Sequence, residues 1–254
     1  MLTYQHVADP RRDRAILIGS LGLLAGIAAL AIWLWQSSAY GRYLHHTGGG
    51  DAPLVVEVSL FAAGWLLMIV AMMLPTSIPL VVTFAALVRR RPHPTRLIAG
   101  VLLGYLVMWS AFGVIAYVGD RGVHAAVDAL PWLADHPQLI AGATLAIAGL
   151  WQFSPLKYRC LDECRSPLGF VMNRWRGVRP TSEAFRLGVA HGLFCIGCCW
   201  SMMLIMFGLG LGSLAWMLAL GAVMAVEKNA PWGRRISRPL GFLLILAAVA
   251  AIAG

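Results

Sequence analysis

Apolar residues run along this chain in stretches far longer than a soluble helix needs, and short arginine-rich segments separate them. The first, residues 15–36, follows Arg11, Arg12 and Arg14 and is long enough to cross a bilayer as a helix. It is too long for the apolar core of a signal peptide, so an uncleaved first span is expected. The second starts after Pro53, a residue suited to a first helical turn, and stays apolar to Val88. At 1.5 Å per residue this run of residues 54–88 far exceeds a bilayer core of about 30 Å. Reading it as two crossings would place Arg89, Arg90 and Arg91 outside and invert every later loop, so one crossing with a kink at Pro75–Pro79 is expected. Pro75 lacks an N–H and should free the carbonyl of Ala71, with Thr76 and Ser77 helping to satisfy the local backbone.

Further spans are expected at residues 95–118, 137–153, 183–208, 214–227 and 239–254. A loop over 119–136 should hold a short surface helix near Val123–Leu130. Ser182 is expected to cap the fifth span, Gly208–Ser213 to turn outside, and Pro239 to open the last. Residues 154–182 break the apolar pattern. Ser154-Pro155 and Ser166-Pro167 each pair a capping residue with a first-turn proline, which predicts two short helices, the first of about 11 residues. Cys160 and Cys164 lie at i, i+4 on the first helix, in line with Leu156 and Leu168. Lys157, Arg159, Asp162 and Glu163 cover much of the rest, the pattern of an interfacial amphipathic segment. The predicted fold is therefore all-α: a polytopic membrane helix bundle of about seven transmembrane helices with short interfacial amphipathic helices, one integral membrane domain over 1–254.

Composition agrees, with 59% hydrophobic and only 12% charged residues. The formal charge of +9 invites a nucleic-acid reading, but its distribution argues otherwise. Every lysine and arginine except Arg42 and Arg121 falls in a segment assigned to the inside, which is the positive-inside rule. The basic balance is read as topology and contact with anionic lipid, with no nucleic-acid partner. A bacterial inner membrane location follows, with the amino terminus cytoplasmic and the carboxyl terminus periplasmic or extracellular.

The candidate chemistry lies in HGLFCIGCCWSMM, residues 191–203. His191, Cys195, Cys198, Cys199 and Met202 fall on one helical stripe inside an apolar run. Thiolate, imidazole and thioether are soft ligands suited to Cu(I), zinc or an iron–sulfur centre, and a histidine within a span is a functional-site candidate by default. Met72 and Met73 should lie at a depth close to that of His191. The alternative is that the cysteines pack as small apolar residues and the methionines fill gaps. Five cysteines, an odd number, give no paired extracellular framework. Glu227 is expected to pair with a nearby arginine, and His45–His46 to be solvated loop residues with metal uptake as the minor reading. No Gly-rich phosphate loop, H-E-x-x-H or Ser–His–Asp arrangement is present.

At these residues the chain resembles a bacterial domain-of-unknown-function family of predicted metal-binding integral membrane proteins. The matching blocks are AMMLP (71–75), SPLKYRCLDECRSPLGF (154–170), HGLFCIGCCWSMM (191–203) and the run from Trp216 to Lys228. The resemblance implies a metal-binding role. The combined reading is a transition-metal-binding membrane protein, Cu(I) first and zinc second, in metal transport or delivery to a membrane or periplasmic metalloprotein partner. His191, Cys195, Cys198 and Cys199 would be primary ligands, Met72, Met73 and Met202 auxiliary ones, and Cys160 and Cys164 a cytoplasmic relay. A membrane thiol–disulfide oxidoreductase working with a quinone, and a structural or assembly subunit whose cysteines only pack, are the other classes; enzyme activity is not favoured.

Overall fold

The computed structural model describes residues 10–38, 53–209 and 214–253, and everything in them is helix or short connection. The helices are α1 (Pro10–Gln36), α2 (Leu54–Met68), a π turn (Ile69–Met73), α3 (Leu74–Thr76), α4 (Ile78–Val88), α5 (Pro94–Ala129) and α6 (Pro131–Ala134). They continue as α7 (Pro137–Trp151), α8 (Pro155–Arg165), α9 (Pro167–Arg174), α10 (Pro180–Leu209), α11 (Leu214–Asn229) and α12 (Gly233–Ala253). His45–His46 and residues 210–213 of the expected Gly208–Ser213 turn lie outside the described residues, and the start of that turn is still helix, since α10 continues to Leu209.

Five helical stretches among the described residues are long and apolar enough to cross a membrane, at Arg11–Gln36, Leu54–Thr76, Pro94–Ala129, Pro180–Met206 and Gly233–Ala253. A sixth is reached only if α7 and α8, bent by 64° at their junction, count as one. The expected seven crossings are therefore not reproduced, because α7 and α11, at 15 and 16 residues, are short. Several faces are apolar and exposed, including Leu23, Ile27 and Leu30 on α1 and Phe242, Leu246 and Val249 on α12. Exposed apolar surface of that extent is compatible with membrane insertion.

Three boundaries differ from the sequence reading. The stretch at Gly119 continues as helix to Ala129, so α5 absorbs the expected surface helix. Pro239 lies inside α12, which starts at Gly233; as the seventh residue it stands in the second turn, where it removes one intrahelical donor. At the start of α10, the Glu183 carboxylate accepts from the backbone N–H groups of Arg176, Gly177, Val178 and Arg179 at 2.9, 2.6, 3.1 and 2.9 Å, so this carboxylate organises the turn that Ser182 was expected to cap. Gly177 has φ +76°, a left-handed conformation a side chain would resist.

The central seam joins α5 and α10, which run parallel. A Cβ at Gly104 would collide with the carbonyl of Phe185, one at Gly188 with the carbonyl of Val101, and one at Gly192 would lie 2.8 Å from Met108 Cβ. Small residues four apart, Gly100 and Gly104 facing Ala184, Gly188 and Gly192, let the two backbones touch, as in membrane helix pairs that lack a hydrophobic driving force. Replacing Gly188 by valine is expected to force the seam apart and to lower the thermal unfolding midpoint in detergent. Overpacking costs about 1–3 kcal/mol in a core where side chains can yield, and more here because the colliding atoms are backbone. An unchanged midpoint would show that the seam is not this close. On the other side of the bundle, α7 and α12 pack antiparallel in the same way, through Gly142, Gly149 and Gly241.

Candidate metal centre

The seam positions α10 so that its cysteine face meets α8, α11 and the π turn. The core there is rich in sulfur. Cys160, Cys195, Cys198 and Cys199 belong to one buried cluster with Met68, Met72, Met73, Met202, Met203, Met206, Met217 and Met224, and Cys164 packs against it. All five cysteines are free thiols.

The thiols form a row. Cys195 neighbours Cys199, Cys199 neighbours Cys198, and Cys198 on α10 neighbours Cys164 on α8. Cys198 and Cys199 also donate to the carbonyl of Cys195 at 3.0 and 2.9 Å, the back-bonding that residues three and four apart in a helix can make. The Sγ of Cys199 lies 3.9 Å from the Sδ of Met73. Cys160 fills the notch that Gly197 leaves in α10, with its Sγ 2.5 Å from where a Cβ would stand. As the side chains stand, no three His, Cys, Asp or Glu converge on one point among the described residues. The arrangement is a line of sulfur rather than a tetrahedral cage.

Two of the expected ligands stand apart from the row. His191 is buried, but its Nε2 pairs with Ser77 Oγ at 3.1 Å, and its ring stacks on Tyr105 and meets the edge of Phe170. Its Nδ1 has no partner among the described residues. Tyr105 holds the place beside Cys195 that a histidine one turn away was expected to take: its hydroxyl lies 3.3 Å from Cys195 Sγ and donates to the Met73 carbonyl at 3.2 Å. Met72 turns toward α11, where its Cε and Cγ lie 3.5 Å from the position of a Cβ on Gly221. Met202 is fully buried in the shared core.

The π turn explains why Met73 and not Met72 faces the thiols. A π turn carries one more residue than an α turn, and each added residue rotates the side chains that follow by about 100°. Pro75 is the adjacent cause, since it offers no N–H to the preceding turn. The carbonyl that side chains take over is that of Met73, not Ala71 as expected. Thr76 donates to it at 2.8 Å and Ser77 at 3.3 Å, together with Tyr105, while the Ser77 N–H bonds Leu74 instead.

Ser154 caps α8 as expected, accepting from the Leu156 N–H at 3.2 Å, and α8 has the expected 11 residues. The faces of α8 differ from expectation, however. Leu156 and Leu168 are exposed, whereas Lys157, assigned to the polar face, is fully buried. Its ammonium donates to both carboxylate oxygens of Glu227 at 2.8 and 2.9 Å and to Gln152, and Ser237 donates to Glu227 at 2.6 Å. Glu227 was expected to pair with an arginine. Arg165 does reach it, but at the backbone carbonyl, 2.5 Å away. A second buried cation, Lys228, donates to Cys195 Sγ at 2.9 Å and to Thr76 Oγ1 at 3.2 Å. The family-like run from Trp216 ends on Lys228 without giving it a role, and no sequence signal singled out Tyr105, which reaches Cys195 from 90 positions away. The two polar residues that open the last turn of α11, side by side in an apolar run, were the nearest hint.

Outside the row, Tyr158, Arg159, Glu163, Asn173 and Arg234 line an open cleft along α8 and α9. Phe170 forms part of its wall and also meets the His191 ring edge-on.

A family model described as PpoB2, copper chaperone, matches residues 62–251, which includes every residue of the thiol row. No curated protein and no solved structure matches the chain.

Proposed function

This chain belongs to the PpoB2 copper chaperone family, and from that premise we propose that it is a membrane-embedded carrier that takes Cu(I) on its thiol row and delivers it to a partner metalloprotein. The observation that carries the reading is the line Cys195, Cys199, Cys198, Cys164, with the Met73 thioether against Cys199, buried in a methionine-rich core where the Lys228 ammonium and the Tyr105 hydroxyl are the polar groups on Cys195. Thiolate and thioether select soft monovalent copper, whereas Mg and Ca need oxygen ligands. A row suits a carrier better than a cage does, because Cu(I) held by two sulfurs can pass to the next by exchanging one ligand at a time. The cytoplasmic placement of α8 and α9, and an inner-membrane location with the amino terminus inside, follow from the arginine distribution and complete the proposal. The cleft beside Phe170 is then the inner approach to the row. His191 and Met202 serve as flanking groups rather than as the central pair.

Lys228 beside Cys195 is the specific observation that favours the alternative, thiol–disulfide chemistry, because a cation activates a thiol. One experiment separates the two. Free thiols are trapped in native membranes before and after a Cu(I)-specific chelator, and in parallel before and after a reductant. Protection of the cysteines that the chelator removes is the expected result. Protection removed only by the reductant would replace the copper reading with the redox one.

A further inference from the structure

We propose that Lys228 fixes the charge of the cation the thiol row accepts, matching it to a monovalent metal held by two thiolates and discriminating against divalent zinc. The inference deepens the copper reading above and rests on it.

Lys228 sits in the last turn of α11, 5% exposed, with its ammonium on Cys195 and Thr76. The carboxylate next to it in sequence is not its counter-ion. Neighbouring helical residues point about 100° apart, and Glu227 faces the other way, where Lys157 and Ser237 saturate it. No carboxylate lies within ion-pair distance of Lys228 among the described residues. The Lys157–Glu227 pair is neutral as a unit, so Lys228 brings one uncompensated positive charge to the thiols.

Charge balance then decides between metals. When a cation binds, Cys195 and Cys199 hold it as thiolates, any S–H proton they carried leaves to water, and the ammonium of Lys228 stays beside Cys195. Two thiolates with a monovalent ion carry one negative charge, which the ammonium cancels. Two thiolates with a divalent ion are already neutral, and the ammonium is left as an unpaired buried charge beside a second cation. A third thiolate would restore balance for zinc, but no three ligands converge here. In a site shielded from water, one extra unit of repulsion at about 5 Å and an effective dielectric near 20 corresponds to a selectivity on the order of 100-fold.

The test uses the full-length protein purified in detergent under anaerobic, phosphine-reduced conditions, with Ag(I) as a redox-inert monovalent probe competing against Zn(II). Bound metal is read by mass spectrometry, and folding by the thermal midpoint. Wild-type protein is expected to prefer Ag(I), Lys228→Arg to keep that preference, and Lys228→Met to lower the Ag:Zn ratio on the order of 100-fold. Lys228→Gln, which is polar but carries no charge, should behave as Lys228→Met does and serves where the methionine variant does not fold. A folded Lys228→Gln or Lys228→Met protein with the wild-type ratio overturns the role of Lys228 while leaving the copper reading intact. Wild-type protein that takes up no Ag(I), or that keeps it after Cys195→Ser, overturns the thiol row itself.

Discussion

Replacing Cys195 and Cys198 together by serine is expected to reduce copper bound by the purified protein to less than about a tenth of the wild-type stoichiometry, because a hydroxyl is a hard, poor ligand for a soft cation. The two positions break the row at different points. Cys195 ends it beside Lys228, and Cys198 links Cys199 on α10 to Cys164 on α8. Serine is close to cysteine in volume, so the parallel seam behind these residues should survive, and an unshifted thermal midpoint would confirm that copper was lost without unfolding. The methionines sharpen the experiment. Met73→Leu should weaken binding modestly, since its thioether lies against Cys199, whereas Met72→Leu should leave it unchanged because that side chain packs on Gly221. Full copper retention in the doubly substituted protein would remove the thiol row from consideration as the binding site.

The second large effect concerns stability. Glu227→Gln is expected to destabilise the protein by about 3–5 kcal/mol, because Lys157 would be left as a buried charge without its counter-ion. Lys157 is fully buried and Glu227 nearly so, and the interaction joins α8 to the end of α11 while Ser237 ties in α12. For a chain of this size that cost lowers the thermal midpoint on the order of 10 °C. Replacing both partners, Lys157→Met with Glu227→Leu, should recover most of the loss, since a well-packed apolar pair avoids the desolvation of two charges. If the single and double variants melt alike, the pair is not what holds these three helices together. Removing it should also be felt at the metal centre, because Lys228 follows Glu227 in the same turn and depends on that turn for its aim at Cys195.

Much of the architecture was legible from local pattern. Apolar run length gave the long helices, and Ser154-Pro155 marked the start of α8 to the residue. Helical spacing placed Cys195, Cys198 and Cys199 on one buried face, and put Cys160 and Cys164 on one side of α8 without showing which helix that side meets. Charge segregation argued for a topology, but it could not settle whether short apolar stretches such as α7 and α11 complete a crossing. The glycines of the seam are spaced four apart in both α5 and α10, a signal present in the residues yet meaningless until a partner helix is known.

By itself, the sequence determined that this protein is helical and carries Cys195, Cys198 and Cys199 on one face of one helix, because helix formation and facial periodicity depend on residues a few positions apart. The tertiary structure alone decided what that sulfur meets. One extra residue in the turn before Pro75 chose Met73 over Met72, and close glycine contact brought Tyr105 between His191 and Cys195. The end of α11 sent Lys228 to the thiols and Glu227 away from them. These choices depend on how far apart two backbones pack and on the rotation of one helix against another. Both are set by contacts between residues tens to more than a hundred positions apart, which no local periodicity encodes.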